Sequence, residues 1–465
     1  MNITDRLKTI AVWLTLSLVI GLGVIVVLAS LIKPIHAAPP PAPVGTTFTF
    51  TLENGLQVVV IEDHRVPVVT HMVWYRIGSI DDPQGASGLA HLLEHLMFKS
   101  FDAASDETFA QKISALGAID NARTSHDSTY YFQRVAREGL KNVMALEAKR
   151  MSGLELTKEQ VEIERDVVRE ERRSVVESAP IKLLTEQLMA TLHHNHSYGR
   201  PPIGWSHEIT TLALDDALKA YRDFYVPSNA IVVIAGAVTP DEAQALSKDT
   251  YGKISVDRSA PERISATEPL PIASRRLQIQ DRRVAQSSMF RYYLAPSYAS
   301  AKPGEAEAVE ILMQILGTGS TSRLYRALVA GEKKALTVGS RFFSEGRDSG
   351  RIAVLAVVPR GGDLRDVEGR VDDVINELVK NGIEEAELRS AKARIEARTI
   401  IDSDDQMKLA VRYGEALVAG LTTADVAERL SRIKAIRRKQ VEDVARRLLR
   451  RERSVTGVLV PETKQ

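Results

Sequence analysis

The sequence of 465 residues contains no cysteine. This absence excludes disulfide bonds, thiol-based catalysis and cysteine-type zinc sites, and it suits a cytosolic protein as well as an exported one. An excess of charge of one sign is also missing, because 61 Lys and Arg residues face 60 Asp and Glu residues, for a net charge of +1. We therefore predict no nucleic-acid partner that would be bound through bulk positive charge.

Histidine is missing from the second half of the chain, since all ten histidines lie at or before His207. A site that needs imidazole must therefore be built from the first half. The remaining composition, with 44% hydrophobic and 26% charged residues, is typical of a globular protein. A chain of this length is expected to form about two to four domains.

A long apolar run lies near the N-terminus. Residues 10–32 contain no charged side chain, follow a short basic segment and are closed by Lys33. At about 1.5 Å per residue such a run can span a bilayer. We predict that residues 1–44 form a signal anchor and a proline-rich spacer, with the rest of the chain exported to the bacterial periplasm or cell envelope. A cleaved signal peptide, which would leave a soluble exported protein, is the alternative.

The stretch His-Leu-Leu-Glu-His at 91–95 is the strongest chemical motif in the chain. Residues four apart on an α-helix lie on one face, one turn apart, so His91 and His95 can present two imidazoles to one metal ion. Glu94 lies on the same stripe, close enough to handle the proton of a water at the metal. The alternative is a buried amphipathic helix that carries two incidental histidines.

A catalytic zinc site needs a third protein ligand. A helix is predicted for 158–178, and three valines define its apolar stripe: Val161, Val168 and Val175. Glu164 and Glu171 occupy the intervening turns on that face, where a carboxylate is costly unless it is paired or ligating. We predict Glu171 as the third ligand and Glu164 as a neighbour that orients a ligand or Glu94. A charged helix whose glutamates reach solvent is the alternative.

The rest of the chain reads as two similar halves. Residues 45–251 contain the metal motif, and residues 275–465 repeat the same order of strands and helices at a period of roughly two hundred residues. The segment 252–274 mixes proline, serine and charge without a period, which is typical of a linker. In the second half a helix at 304–316 replaces the motif helix and has no histidine. The metal site is therefore predicted once per chain.

Several stretches together resemble one peptidase family. They are His91 to His95 with Glu171 downstream, NARTSHDSTYYF at 121–132, SYGRPPIGW at 197–205 and FYVPSNAIVVIAGAV at 224–238. The chain resembles the pitrilysin/insulysin family of inverted-motif zinc peptidases over residues 45–462. Within that family it is most similar to the small bacterial members and to the β-subunit of mitochondrial processing peptidase.

The resemblance implies a fold and a metal site. The implied fold is α+β, with two homologous repeats of antiparallel sheet and helices that form half a clamshell. His91, His95 and Glu171 would hold one Zn²⁺ per chain, and zinc lowers the pKa of a water toward about 7. Glu94 would accept the proton of that water and deliver it to the leaving amine.

The resemblance also implies a substrate edge, at which the chain departs from the family. Peptide or unfolded protein would add as a strand beside Asn121, Ala122 and Thr124. Active members carry an Arg and a Tyr, seven apart, in the second repeat, and the aligned positions here are Val329 and Leu336. Two functions follow: a zinc endopeptidase subunit in a heterodimer with a paralogous subunit that supplies the Arg/Tyr pair, or a non-catalytic structural or assembly subunit.

Other histidines are predicted to have roles outside the metal site. His64 and His71 lie in predicted strands and should pack or form hydrogen bonds, and His126 in the substrate-edge segment should face peptide. Three more fall in a Pro/Gly loop that offers no pair four residues apart, which predicts a surface loop: His193, His194 and His196.

Overall fold

A computed structural model describes residues 47–99, 108–255 and 258–462. These residues form a six-stranded and a five-stranded sheet, called sheet 1 and sheet 2. The strands of sheet 1 are β1 (Thr47–Thr51), β2 (Gln57–Glu62), β3 (Val68–Tyr75), β4 (Ile119–Thr124), β5 (Thr129–Ala136) and β6 (Ala230–Gly236). The strands of sheet 2 are β7 (Arg275–Asp281), β8 (Ser288–Pro296), β9 (Thr337–Phe343), β10 (Ser349–Val357) and β11 (Ser454–Pro461).

Helices pack on both sheets. Those of the first half are α1 (Leu89–Leu96), α2 (Phe109–Ala115), α3 (Leu140–Ser152), α4 (Lys158–Arg172), α5 (Pro180–Leu192), α6 (Ser206–Ile209), α7 (Leu214–Phe224) and α8 (Pro240–Asp249). Those of the second half are α9 (Glu305–Leu316), α10 (Leu364–Asn381), α11 (Glu385–Ser403), α12 (Gln406–Val418), α13 (Thr423–Ala435) and α14 (Arg438–Leu448). The result is the mixed α+β architecture that the sequence predicts.

The two sheets share one strand order. Sheet 1 runs β1-β2-β6-β3-β5-β4 and sheet 2 runs β7-β11-β8-β10-β9, so sheet 2 repeats sheet 1 without β1. The expectation of purely antiparallel sheets is wrong in one respect, because β2 with β6 and β7 with β11 are parallel pairs. The last strand of each half returns from a long helical excursion and enters beside the first, which is the kind of connection that a parallel pair requires.

Each sheet is covered on one face by a helix from the other half. Helix α12 packs on the face of sheet 1 that carries Trp74, and α5 packs on the face of sheet 2 that carries Tyr292. Glycine permits both contacts at close range: a Cβ on Gly414 of α12 would lie 2.1 Å from Trp74, and one on Gly457 of β11 would lie 2.9 Å from Leu184 of α5. The two halves are therefore interlocked rather than merely adjacent.

One predicted helix differs from the observed one. The helix predicted for 158–178 ends as an α-helix at Arg172 and continues as one π-helical turn. The wider turn rotates the following residues, so Val175 is 48% exposed instead of lying on the buried stripe.

Residues 1–46 lie outside the described part of the chain, and so does the predicted signal anchor or signal peptide. Among the described residues, no helix combines the length and the apolar character needed to cross a bilayer. Residues 258–274, within the predicted linker, contain neither helix nor strand.

Candidate metal site

Helix α1 is held by its N-terminus as well as by its apolar face. Gly88 precedes it with φ 90°, in the left-handed region that favours glycine. The carboxylate of Asp82 accepts hydrogen bonds from the backbone N–H groups of Gly88 and Ala90, both at 2.8 Å. These bonds satisfy donors that the first turn of a helix leaves free. Four leucines bury the opposite face in the core of the first half: Leu89, Leu92, Leu93 and Leu96.

The structure brings His91, His95 and Glu171 together, with one potential ligand atom from each within 4.8 Å of the others. Oε2 of Glu171 lies 3.3 Å from Nε2 of His95 and 3.7 Å from Nε2 of His91. Ligand atoms at 2.0–2.2 Å from a tetrahedral zinc ion are themselves about 3.3–3.6 Å apart. Two imidazoles and one carboxylate also match a known donor set of catalytic zinc sites. The residues present therefore fit this metal.

The electrostatics of the three groups suit a cation. Burial, together with the neighbouring His95, lowers the pKa of His91 to about 4, so its imidazole is neutral at pH 7, as a ligand must be. The pKa of Glu171 is lowered, chiefly by its hydrogen bond with His95. Burial opposes protonation of His95, but the nearby carboxylates outweigh it and raise the pKa of His95. That excess of negative potential is what a metal ion would neutralise.

Glu164 lies behind the site, as the sequence predicts for a neighbour of the ligands. Its side chain is buried, and Oε2 lies 3.5 Å from Nδ1 of His95. Its other oxygen lies 2.7 Å from Nζ of Lys99. The sequence reasoning missed Lys99, which lies three residues beyond the end of α1 at Leu96 and therefore outside the helical period. Nδ1 of His91 is buried and has no hydrogen-bond partner in the described part of the chain.

Glu94 is next to the three ligand candidates and is fixed by β4. The hydroxyl of Thr124 donates a hydrogen bond to Oε2 of Glu94. Burial raises the pKa of Glu94, and this hydrogen bond partly opposes the shift. The hydroxyl of Thr124 thus contacts Glu94, and its predicted contact with substrate stays a prediction.

Strand β4 forms the edge of sheet 1 beside α1, and β5 is its neighbour in the sheet. Asn121 is exposed on this strand, and its Oδ1 accepts the backbone N–H of Ala122 at 2.8 Å. The corresponding edge of sheet 2 is covered by its own chain. There the N–H of Ser340 on β9 donates to Gly317 O at 3.3 Å, and its carbonyl accepts from the Thr318 hydroxyl at 3.2 Å.

The predicted surface loop at 193–196 is confirmed for His194, which is exposed, and wrong for the other two histidines. His193 and His196 are only 5% and 6% exposed. Nε2 of His196 lies 3.0 Å from Oδ2 of Asp348 in the second half. Among the described residues, the groups around Glu171 form the only cluster of His and acidic side chains close enough to hold a metal ion.

The remaining predicted positions are spread over the fold. His64 is exposed and contacts Glu62, whereas His71 is fully buried in β3. His126 is partly buried, with Nδ1 2.9 Å from the hydroxyl of Ser79. Val329 packs against the core of the second half, and Leu336 is 49% exposed.

Comparison with known proteins places these residues in a family. Residues 57–204 match the model of insulinase (peptidase family M16), and residues 211–395 match that of the peptidase M16 inactive domain. The chain is 30% identical over 373 residues to zinc protease PqqE of Helicobacter pylori, covering 79% of this chain and 82% of that protein.

The chain also superposes on solved protease structures. A protease from Helicobacter pylori superposes with a TM-score of 0.81 at 27% identity, covering 90% of this chain and all of the other. The periplasmic protease PqqL of Escherichia coli has a TM-score of 0.77 at 20% identity, covering 90% of this chain but 48% of its own. The family and the name of the H. pylori relative imply zinc, and the chain belongs to the M16, or insulinase, family of peptidases.

Proposed function

We propose that this chain is a zinc-dependent endopeptidase subunit that cleaves peptides or unfolded polypeptides. The observation that carries the proposal is the approach of His91, His95 and Glu171 to within 4.8 Å of one another, with Glu94 beside them. The three residues would hold one zinc ion per chain. When bound, zinc supplies a Lewis acid that polarises a carbonyl and lowers the pKa of a water.

Glu94 would act as the proton carrier. It is not among the three ligand candidates, and Thr124 holds one of its carboxylate oxygens in place. The free oxygen would accept a proton from the attacking water and then deliver it to the nitrogen of the leaving amine. Glu164 would hold the His95 imidazole through Nδ1, as a carboxylate does for many metal-binding histidines.

The substrate would bind as an added strand along β4. This strand forms the sheet edge next to the metal site, and a peptide there could replace the Asn121 side chain as the partner of the Ala122 N–H. Strand β9 offers no such edge at Ser340, where Gly317 and Thr318 take its backbone groups. This contrast supports a substrate site in the first half.

A partner subunit would complete the site. Val329 and Leu336 have no polar side chain with which to stabilise an oxyanion, and loss of one such donor typically costs about 10²–10³ in rate. The E. coli structure, of which this chain covers 48%, is about twice as long. We therefore propose a heterodimer with a paralogous chain that supplies an Arg and a Tyr. Sedimentation and peptide assays of the chain alone and mixed with such a partner test this; equal rates would contradict it.

An exported location is part of the proposal. The apolar residues 10–32 support a membrane anchor or a cleaved signal peptide, and the E. coli protein of the same fold is named periplasmic. Cell fractionation and N-terminal sequencing of the mature chain distinguish an anchored form from a processed, soluble one.

A second candidate is a non-catalytic peptidase-like subunit with a structural or assembly role. The observations that favour it are the apolar residues at Val329 and Leu336 and the match of 211–395 to the inactive-domain model. A chain that binds zinc yet cleaves no peptide, with or without its partner, would support this candidate.

Metal analysis tests the central proposal. The purified chain should contain one zinc ion, and the double substitution His91→Ala/His95→Ala should remove it. His207→Ala is the matched control, because that side chain is 81% exposed and far from the cluster in sequence. Full zinc content in the double variant would contradict the ligand assignment.

A further inference from the structure

A cavity of about 540 Å³ lies between the two halves. We call it the arginine cavity. It is bordered by both edge strands, β4 of sheet 1 and β9 of sheet 2, so neither half forms it alone. Polar side chains from both halves line it, among them Arg123, Arg341, Glu345, Ser349, Arg351 and Glu415.

Two hydrogen-bond donors of sheet 2 that line this cavity have no acceptor, and neither has Nε1 of Trp74 in sheet 1. Nε of Arg351 and Oγ of Ser349 are buried and lack a hydrogen-bond partner within the described residues. The two residues are two apart on β10 and so share one face of sheet 2. The Arg351 guanidinium lies over the ring of Phe343, 3.9 Å from its centroid. Because unmatched buried donors are costly, this pair is complementary to a ligand that carries acceptor oxygens.

Two further guanidinium groups border the same space. Arg341 of β9 is exposed, and its guanidinium lies over the ring of Phe343, 4.6 Å from the centroid. Arg123 of β4 is exposed as well. Within the described part of the chain, neither of these arginines nor Arg351 forms an ion pair with a carboxylate. A planar guanidinium without a partner is suited to bind a carboxylate through two parallel hydrogen bonds.

Three carboxyl groups of the protein line the cavity and reduce its charge: Asp127, Glu345 and Glu415. Burial raises the pKa of Asp127, and its hydrogen bond from Tyr198 partly opposes the shift. Glu345 is exposed, and its Oε2 accepts the backbone N–H of Ser344. Burial raises the pKa of Glu415 to about 7, so this group is only partly ionised at neutral pH. Burial also lowers the pKa of Arg351, and the nearby Tyr292 and Glu345 only partly oppose this shift. Three arginines therefore face three carboxyl groups, and because Glu415 is only partly ionised at neutral pH, the cavity keeps a small positive charge.

The cavity adjoins the proposed substrate edge. Side chains alternate along β4, and Thr124 points to the metal site, where it contacts Glu94. Arg123 therefore points to the opposite face of the sheet, and it lines the cavity. A substrate strand paired with β4 would alternate in the same way, with every second side chain on the side of Arg123.

We propose that the arginine cavity binds a carboxylate of the substrate, from an acidic side chain or from the C-terminus, while the substrate chain is paired with β4. The inference rests on the proposed peptidase function and deepens it by naming a substrate class, peptides with an acidic group close to the scissile bond. The positive cavity would select such peptides, and the metal site on the other face of β4 would cleave them.

Binding of fluorescent peptides to the full chain tests the inference. Glu94→Gln is introduced throughout so that cleavage does not interfere. One series moves a single Glu, or Gln in its place, along an otherwise neutral peptide, and a second compares free with amidated C-termini. At one position, the acidic peptide should bind about ten- to a hundredfold tighter than its neutral counterpart, as expected for a charge-assisted hydrogen bond to arginine.

Substitutions of single arginines show which residues cause the preference for acidic over neutral peptides. Arg341→Gln and Arg351→Gln should each reduce it to less than about threefold, and Arg341→Glu should shift it towards a Lys peptide. Arg360→Gln, an exposed arginine that is not among the cavity residues, removes the same charge and should leave it unchanged. Arg341 is exposed, so its variants keep the test valid if Arg351→Gln fails to fold.

The outcomes separate this inference from the proposed function. Equal affinity for acidic and neutral peptides at every position, or a preference that survives in both arginine variants, overturns the inference. Hydrolysis is measured separately with the unsubstituted chain and its partner. An acid preference that depends on Arg341 supports the inference even if no peptide is cleaved, whereas cleavage without any preference overturns the inference and leaves the proposed function intact.

Discussion

Helices α1 and α9 occupy equivalent places in the two halves, but the side chains at equivalent positions have different partners. Each begins after a glycine in the left-handed region, Gly88 with φ 90° and Gly304 with φ 81°. At the third position after the glycine α1 has His91, and α9 has Glu307, which pairs with Arg432 at 2.7 Å. One backbone plan thus supports either the candidate metal site or a closed ion pair.

The sixth position after the glycine shows the same contrast. Glu94 of α1 is held by the hydroxyl and the backbone of Thr124, both neutral groups, whereas Glu310 of α9 is bound by the guanidinium of Arg429 at 2.6 Å and by Tyr298. A carboxylate that is neutralised by arginine is a poor proton acceptor, because the positive charge stabilises its ionised form. The two helices share one backbone plan, so the hydrogen-bond partners of Glu94 and Glu310, and not the fold, decide which carboxylate is available to accept a proton.

The largest expected effect comes from the two glutamates of this comparison. Glu94→Gln should keep its zinc and lose at least about 10²-fold in peptidase rate, because the amide cannot carry a proton. Glu310→Gln, the matched control, should leave the rate within about twofold, since that carboxylate lies in the half without the metal motif. Zinc content and peptide hydrolysis are measured for both. Parental activity in Glu94→Gln would show that another group moves the proton.

The next largest effect is a loss of stability in acid, which we expect from a buried histidine of the first half. Burial lowers the pKa of His71 in sheet 1 to about 4, whereas the corresponding face of sheet 2 buries Arg291 between Glu368 and Asp372. The unfolded chain binds the His71 proton near pH 6.5 and the folded chain only near pH 4, so stability falls as pH falls through this window. The loss at pH 4.5 is about 2–3 kcal/mol.

Urea unfolding at pH 7.5 and pH 4.5 measures this effect. The difference in the free energy of unfolding between the two pH values should be smaller in His71→Gln than in the parent by about 2–3 kcal/mol. His64→Gln is the control, because that histidine is exposed. An identical pH dependence in parent and His71→Gln would mean that acid acts elsewhere.

The interlocking helices predict unequal effects of adding one methyl group. Gly414→Ala should lower the free energy of unfolding by about 1–3 kcal/mol, because the new Cβ would meet the rigid indole of Trp74 at 2.1 Å. Gly457→Ala should cost less, since its neighbours at 2.9 Å are the mobile methyl ends of Leu184 and Leu188. Denaturant titration of both variants compares them. A larger cost for Gly457→Ala would contradict this account of the packing.

The smallest effect concerns the hydroxyls at the two sheet edges. Thr124→Val should slow peptide hydrolysis about tenfold, because the carboxylate of Glu94 loses the hydrogen bond that orients it. Thr318→Val removes a hydroxyl that bonds to the backbone of β9 and should leave the rate unchanged. Steady-state kinetics of the two variants at equal zinc content test the pair. Equal losses in both would indicate a general effect on folding.

Local pattern was enough to predict much of the candidate site. The spacing of His91 and His95, and the position of Glu171 on the helix period, selected three residues that the structure brings within 4.8 Å. Helical periodicity carries this information because it states which side chains share a face before any tertiary contact forms. The absence of histidine from the second half likewise assigned the motif to one repeat. Whether these residues bind zinc stays a prediction.

Other features were decided only by the tertiary structure. The parallel pairing of β2 with β6, the crossing of α5 and α12 to the opposite sheets and the placement of Arg123 and Arg351 around one cavity all join residues far apart in sequence. No local period encodes such contacts, because they depend on how finished sheets and helices pack. The π-helical turn after Arg172 is of the same kind. Sequence periodicity alone predicts one straight helix to residue 178, whereas in the structure the α-helix ends at Arg172 and the π-helical turn connects α4 to α5.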